Sequence, residues 1–361
     1  MSLARDLAFT SLSYHIAAMA SPNPRSHSPL PLISPRNLLQ LAFFSILHSI
    51  SSAQQNEKRG IAYLGDTHDS DNSLLLSPSS PLSWYYNWSP YPNVRQIPAD
   101  AIEFVPLIHG IDQASDSRTA SQLNNLPQTS HHLLAFNEPD GLEDSGGSAV
   151  SPEDAARAYI DYIAPYRNGG NGGREWYISH PVTTGSPRGL DWLRDFNQSC
   201  YEIDEENGCP IDFITAHWYG TFTGLAGWLG SLNEFYNMNS SRDPPLRIWI
   251  TEMALPQQDA DATVRMMNQT LPYLDNLDYV DKYAWFGAFR TDDANEWTGD
   301  GVALFDDDGG LTELGALYMG GEENGFEEGQ KGEGSALSGA STNIALLLSM
   351  SVAYVAMIGF W

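Results

Sequence analysis

Two glutamates stand in matching surroundings. Glu138 follows the apolar run Leu133-Leu134-Ala135-Phe136 and precedes Pro139, while Glu252 follows Ile248-Trp249-Ile250-Thr251. Runs of this length read as buried strands, and the proline ends its ladder, so each acid sits at the end of a strand. One acid in such a place is ordinarily a solvated strand-end residue. Two carboxylates on the ends of two buried parallel strands suit a different task, general acid/base and nucleophilic work at a glycosidic bond.

The elements that must position them recur at a regular spacing. Strand-like runs cover 60–64, 84–88, 103–109, 133–138, 175–182, 211–219, 247–253 and 282–289. Helical patterns lie between several of them, at 151–166, 190–201, 225–236 and 260–274, with a closing one at 311–318. The first of these starts on Ser151-Pro152-Glu153-Asp154, a cap with proline in the first turn and acids after it. Helical signals after the first three strands are weaker. Eight strands alternating with helices predict a closed (β/α)8 TIM barrel, a single catalytic domain over 54–320. A doubly wound open sheet is the runner-up, but no Gly-rich phosphate loop follows the first strand. In the barrel, Glu138 ends the fourth strand and Glu252 the seventh, on the same catalytic face.

Composition narrows the partners. The 361 residues carry 45 acidic and 18 basic side chains, a formal net charge of −27. Such a chain offers no basic face for nucleic acid or an anionic membrane, and a neutral polymer is the expected partner. Ten Trp, 17 Tyr and 14 Phe supply flat surfaces for sugar rings, although most must be core. The two cysteines, Cys200 and Cys209, are too few for a thiol metal site, and no HExxH or CxxC pattern occurs, so neither a metal nor a cofactor is expected. In an exported chain the pair would close a small loop as a disulfide; in a cytosolic one they would be free thiols.

Both ends carry targeting signals. The apolar segment 38–50 after Arg36, followed by Ser51-Ser52-Ala53, reads as a secretory signal peptide cut after Ala53. The 37 residues before it are too long and too rich in Pro and Ser for a leader, which points to Met19 as the start or to a misassigned first exon. At the other end, Gly334-Ser335-Ala336, a polar spacer and the uncharged tail 344–361 form the pattern of a glycolipid (GPI) anchor signal over 335–361. A tail-anchored membrane helix is the alternative. Residues 321–334 read as a flexible acidic, Gly-rich linker. The expected location is secreted and held at the cell surface or wall, as a monomer.

Four stretches narrow the chemistry: Trp84-Tyr85-Tyr86-Asn87-Trp88, Phe136-Asn137-Glu138-Pro139-Asp140, Asp212-Phe213-Ile214-Thr215-Ala216-His217-Trp218-Tyr219-Gly220 and Trp249-Ile250-Thr251-Glu252. In this order they resemble glycoside hydrolase family 128, fungal and bacterial β-1,3-glucanases of the alkali-sensitive-linkage-protein type, over about residues 59–320. The resemblance implies a retaining double displacement on β-1,3-glucan of the fungal cell wall. Glu138 matches the acid/base and Glu252 the nucleophile. A retaining pair stands roughly 5–5.5 Å apart, so the charge on Glu252 would keep a proton on Glu138.

Supporting residues follow from position. Asn137 fits a hydrogen bond to the sugar 2-hydroxyl, against a bland role as a strand-end cap. His217 and Tyr219 share a face of the sixth strand and would hold and orient Glu252, although a lone strand histidine is more often core. Trp285 on the eighth strand is the expected floor for the sugar ring, and Trp88 a flanking subsite. His109 and Asp66 also end strands, with weaker claims. Of the sequons at Asn87, Asn197, Asn239 and Asn268, Asn87 lies beside the active face and is expected to be unoccupied. Cys200 and Cys209 would steady the loop entering the sixth strand. Two rivals use the same fold: a non-catalytic glucan-binding wall protein, and a transglycosylase that passes the sugar to an acceptor.

Overall fold

Each predicted run becomes a parallel strand. The computed structural model describes residues 57–332, apart from 65–67, 93–96, 99, 171–172 and 239. The strands are β1 (Arg59–Ala62), β2 (Trp84–Tyr86), β3 (Glu103–Phe104), β4 (His132–Leu133), β5 (Tyr177–Ile178), β6 (Ile214–Tyr219), β7 (Ile248–Ala254) and β8 (Val280–Trp285). Six pair in the order β3-β2-β1-β8-β7-β6, and β4 pairs with β5. Parallel bridges Leu107–Leu134 and Ser179–Phe213 join these two sheets at both seams. The ring therefore closes, as a (β/α)8 barrel must.

Helices fill the returns. They are α1 (Asp69–Leu75), α2 (Ile111–Ser115), α3 (Ser117–Asn124), α4 (Pro152–Ala158), α5 (Pro187–Ile203), α6 (Phe222–Asn233), α7 (Ala260–Asn276) and α8 (Glu313–Tyr318). The described residues between β2 and β3 hold no helix, which explains the weak helical signal there. Ser151 caps α4 as expected, its Oγ accepting from Asp154 N at 3.2 Å. The run 151–166 is not one regular helix, however: a wide turn over Tyr159–Ile163 leads into a tight one over Ala164–Asn168, which has Pro165 in its first turn. Proline removes a backbone donor and crowds the preceding turn.

Strand parity decides which side chains enter the barrel. Near its floor, Trp249 meets Trp84, Phe213 and His132 at ring separations of 5.4, 4.6 and 4.5 Å. Gly60 makes room for this cluster, since a Cβ there would lie 2.2 Å from the Trp84 indole. From these positions, alternation on β2 and β6 carries Tyr86 and Trp88, His217 and Tyr219 toward the mouth. On β7 the same rule fails, because Trp249 and Glu252 are an odd number of residues apart. The register shift between Ala216 and His217, which pairs Ala216 with Ile250 but His217 with Glu252, leaves Thr251 as the extra residue. This bulge is what returns Glu252 to the interior.

The segment 321–332 is not a free linker. Phe326 is buried, Leu311 N donates to Gln330 O at 2.9 Å, and Gly310 bridges Lys331 antiparallel. An aromatic ring and a short backbone ladder seat this acidic stretch on the barrel. No helix among the described residues is long and apolar enough to cross a membrane. The signal peptide region 1–53, the anchor signal 335–361, Asp66 and Asn239 lie outside the described residues.

Candidate active site

Glu252 is buried and surrounded by donors. Its Oε1 accepts from Tyr86 OH and from Trp88 Nε1, both at 2.8 Å, and its Oε2 accepts from Tyr219 OH. Burial first, and then the charge of Glu252, push both tyrosines well above the usual phenol range, so they remain donors. Three donors converging on one carboxylate fix its orientation.

Glu138 stands opposite, its backbone at φ +37°, in the left-handed region that side chains other than glycine rarely adopt. Its N–H donates to Val182 O at 2.8 Å, and the adjacent Asp140 accepts from Thr184 N at 2.9 Å, so the turn is tied to the segment after β5. Trp88 is likewise left-handed, at φ +55°. Strain of this kind costs on the order of 1–3 kcal/mol and persists only where surrounding contacts impose it.

His217 joins the two acids. Its Nδ1 lies 2.8 Å from Glu138 Oε1 and its Nε2 3.4 Å from Glu252 Oε1, with the ring fully buried. Burial alone would lower its pKa, but the carboxylates of Glu252, Glu138 and Asp140 outweigh burial and raise it above the ordinary 6.5. The three ligand-type atoms of Glu138, His217 and Glu252 lie within 4.8 Å of one another. Histidine and carboxylates this close suit a cation as well, but Glu252 Oε1 already accepts from two strong donors, Tyr86 OH and Trp88 Nε1.

The remaining candidates separate. Trp88 is half-buried: its indole N–H donates to Glu252, and its ring packs 4.9 Å from Tyr86 and 5.9 Å from Phe286. Trp285 cannot floor a sugar site. It is fully buried, with Nε1 donating to Val302 O at 2.9 Å and its backbone N–H to Tyr318 OH at 3.2 Å. On β8 the inward parity belongs to Lys282, whose ammonium lies 5.3 Å from the Trp249 ring centre, and so to Phe286, which meets Trp88 and Tyr219. Asn137 is buried: Nδ2 donates to Gly146 O at 3.0 Å, and Oδ1 has no hydrogen-bond partner among the described residues. His109 approaches the same carbonyl, 3.1 Å away, at the edge of a cavity of about 430 Å³ lined also by Gln113 and Glu143.

Two contributors went unread in the sequence. Tyr86 shares the alternation of Trp84 and Trp88 and could have been found by it. Phe286 could not, because the parity of β8 depends on its pairing. The disulfide Cys200–Cys209 is formed and ties the end of α5 to the loop before β6. Behind it, His180 is buried, Nε2 donating to Cys209 O at 3.0 Å and Nδ1 facing Tyr236 OH at 3.1 Å. At the Asn87 sequon, Nδ2 donates to Tyr91 O at 3.1 Å, whereas Asn268 is exposed on α7 and Asn197 half-buried on α5.

Similar proteins share the family and the fold. The family model described as "Glycosyl hydrolase catalytic core" matches residues 60–318. Alkali-sensitive linkage protein 1 of Schizosaccharomyces pombe is 30% identical over 271 residues, 73% of this chain but 44% of that protein, so the chain spans less than half the length of this relative. Among solved structures, the family 128 subgroup III curdlan-specific exo-β-1,3-glucanase from Blastomyces gilchristii, in complex with glucose, is 27% identical with a TM-score of 0.53, covering 74% of this chain and 100% of that one. The subgroup II endo-β-1,3-glucanase from Sorangium cellulosum is also 27% identical, with a TM-score of 0.56 and coverage of 73% and 98%. With Glu138 and Glu252 brought together at the mouth of a parallel barrel, the chain belongs to the glycosyl hydrolase catalytic core family and is similar to the family 128 structures named above.

Proposed function

We propose that this protein hydrolyses β-1,3-glucan of the fungal cell wall, with retention at the anomeric carbon, from outside the cell. The observation that carries the mechanism is the closeness of the acids: oxygens of Glu138 and Glu252 lie within 4.8 Å. An inverting pair stands roughly 6.5–9.5 Å apart to admit a water between acid and sugar, and a retaining pair about 5–5.5 Å. Glu252 attacks the anomeric carbon while Glu138 passes a proton to the departing glycosidic oxygen. Glu138 then takes a proton from water, whose oxygen displaces Glu252 and frees the sugar. His217 facing both acids favours this exchange, since a proton held between Nδ1 and Glu138 Oε1 can be lent and recovered without solvent.

The linkage is supported by the β-1,3-glucanases among the related structures. Export is supported by the signal at 38–53 and by the disulfide, which belongs to an oxidising compartment. Retention at the surface by a glycolipid anchor rests on the tail pattern alone. The partner is a neutral glucan, consistent with a net charge of −27, and the protein acts as a monomer.

Incubation with laminari-oligosaccharides tests the activity. Wild type releases shorter sugars, and Glu138→Gln and Glu252→Gln each lose about 10³-fold or more in kcat, as expected when a positioned acid or nucleophile is removed. Wild type that binds these sugars and releases nothing would replace the enzyme with a glucan-binding protein. Longer products would mark transfer to a sugar acceptor.

A further inference from the structure

The loop after β8 holds an aromatic ring that the fold does not use. Trp297 is 57% exposed, the one exposed tryptophan among the described residues. Its ring centre lies 4.5 Å from that of Tyr219, whose hydroxyl donates to Glu252. The indole is therefore one side chain removed from the nucleophile, with a large apolar area left in water.

The loop is built to keep it there. Asn295 Oδ1 accepts from Trp297 N at 3.0 Å, from Thr298 N at 2.8 Å and from Thr298 Oγ1 at 3.0 Å. From the segment after β7, Gln257 Nε2 donates to Glu296 O at 2.7 Å and to Trp297 O at 2.8 Å, while Gln257 N donates to Thr298 O at 2.9 Å. To do this Gln257 takes φ +58°, a left-handed conformation costly for a residue with a side chain. An exposed indole contributes little to folding, so these bonds and this strain serve its position rather than its burial.

We infer that Trp297 is a sugar-stacking platform at the nucleophile side of the cleft, and that Gln257 is the positioning residue that presents it; this rests on the glucan-cleaving reading above. A flat indole matches the apolar C–H face of a neutral pyranose. Asp292, Asp293, Glu296 and Asp300 on the same loop make an acidic sugar a poor occupant.

The test uses the full chain carrying Glu138→Gln, so that binding is read without turnover. Laminari-oligosaccharides of increasing length are titrated by calorimetry and by intrinsic tryptophan fluorescence. Adding Trp297→Ala raises Kd at least about tenfold for oligosaccharides long enough to reach the loop and removes most of the fluorescence response, whereas Trp297→Phe keeps part of the affinity. In the active protein, Gln257→Ala raises KM several-fold with kcat and thermal midpoint nearly unchanged, a split that a general loss of structure would not give. Equal Kd values with and without Trp297 overturn the platform alone and leave the glucan reading standing. If Glu138→Gln with Trp297 intact binds no laminari-oligosaccharide, the substrate reading falls and takes the platform with it.

Discussion

Glu252 reaches the cleft with both oxygens already engaged by Tyr86, Trp88 and Tyr219. In the proposed double displacement, a carboxylate so held would attack in one direction and need no reorganisation at the moment of reaction. Removing one charge-assisted donor costs roughly 1.5–3 kcal/mol. Tyr219→Phe is therefore expected to lower kcat about ten- to a hundredfold with KM little changed, measured by steady-state release of sugars. An unchanged kcat would mean that Tyr219 only packs beside the nucleophile. Glu138, Glu252, His217 and Tyr219 were legible because strand-end acids and simple alternation on β6 are written in the sequence. Tyr86 obeyed the same alternation on β2 and was passed over. Trp297 left no such trace, since no periodicity marks which side chain of a loop faces the cleft.

Between residue and fold, parity is the quantity that the sequence conceals. The bulge at Thr251 changes the facing of everything after it on β7, and it shows only in the pairing of Ala216 and His217. Trp285 was read as a sugar floor because tryptophans suit sugars. The ladder with β1 and the contact with Tyr318 turn it outward and hand the interior to Lys282 and Phe286. The positions of all eight strands were nevertheless legible, as apolar runs bounded by turn residues. At the end of β5, buried His180 bonds to Cys209 O and Tyr236. Burial lowers its pKa to about 4. In the unfolded chain it binds a proton below about 6.5, while the folded protein refuses it until about 4, so its contribution is complete above 6.5 and is lost as pH falls through that window. The loss is worth about 3 kcal/mol. Urea midpoints between pH 4 and 7 should accordingly fall less steeply in His180→Gln than in wild type; parallel slopes would exclude this assignment.

At the scale of the molecule, the ring of eight strands is closed by single bridges at two seams, so the face that carries the acids is continuous although its pairing is uneven. The acidic stretch 321–332 belongs to that body. Its negative composition suggested a linker, but Phe326 and the Leu311–Gln330 bond seat it on the barrel. Composition spoke more usefully about partners, because a chain of net charge −27 is suited to an uncharged polymer and to little that is anionic. Two acids this close are proposed to displace with retention. The direct measurement is proton NMR of the anomeric signals during the first minutes of laminari-oligosaccharide cleavage. Retention predicts that the β-anomer of the new reducing end accumulates first and the α-anomer grows only by mutarotation. An α-anomer formed first would contradict the covalent role of Glu252 and require water to attack the sugar directly.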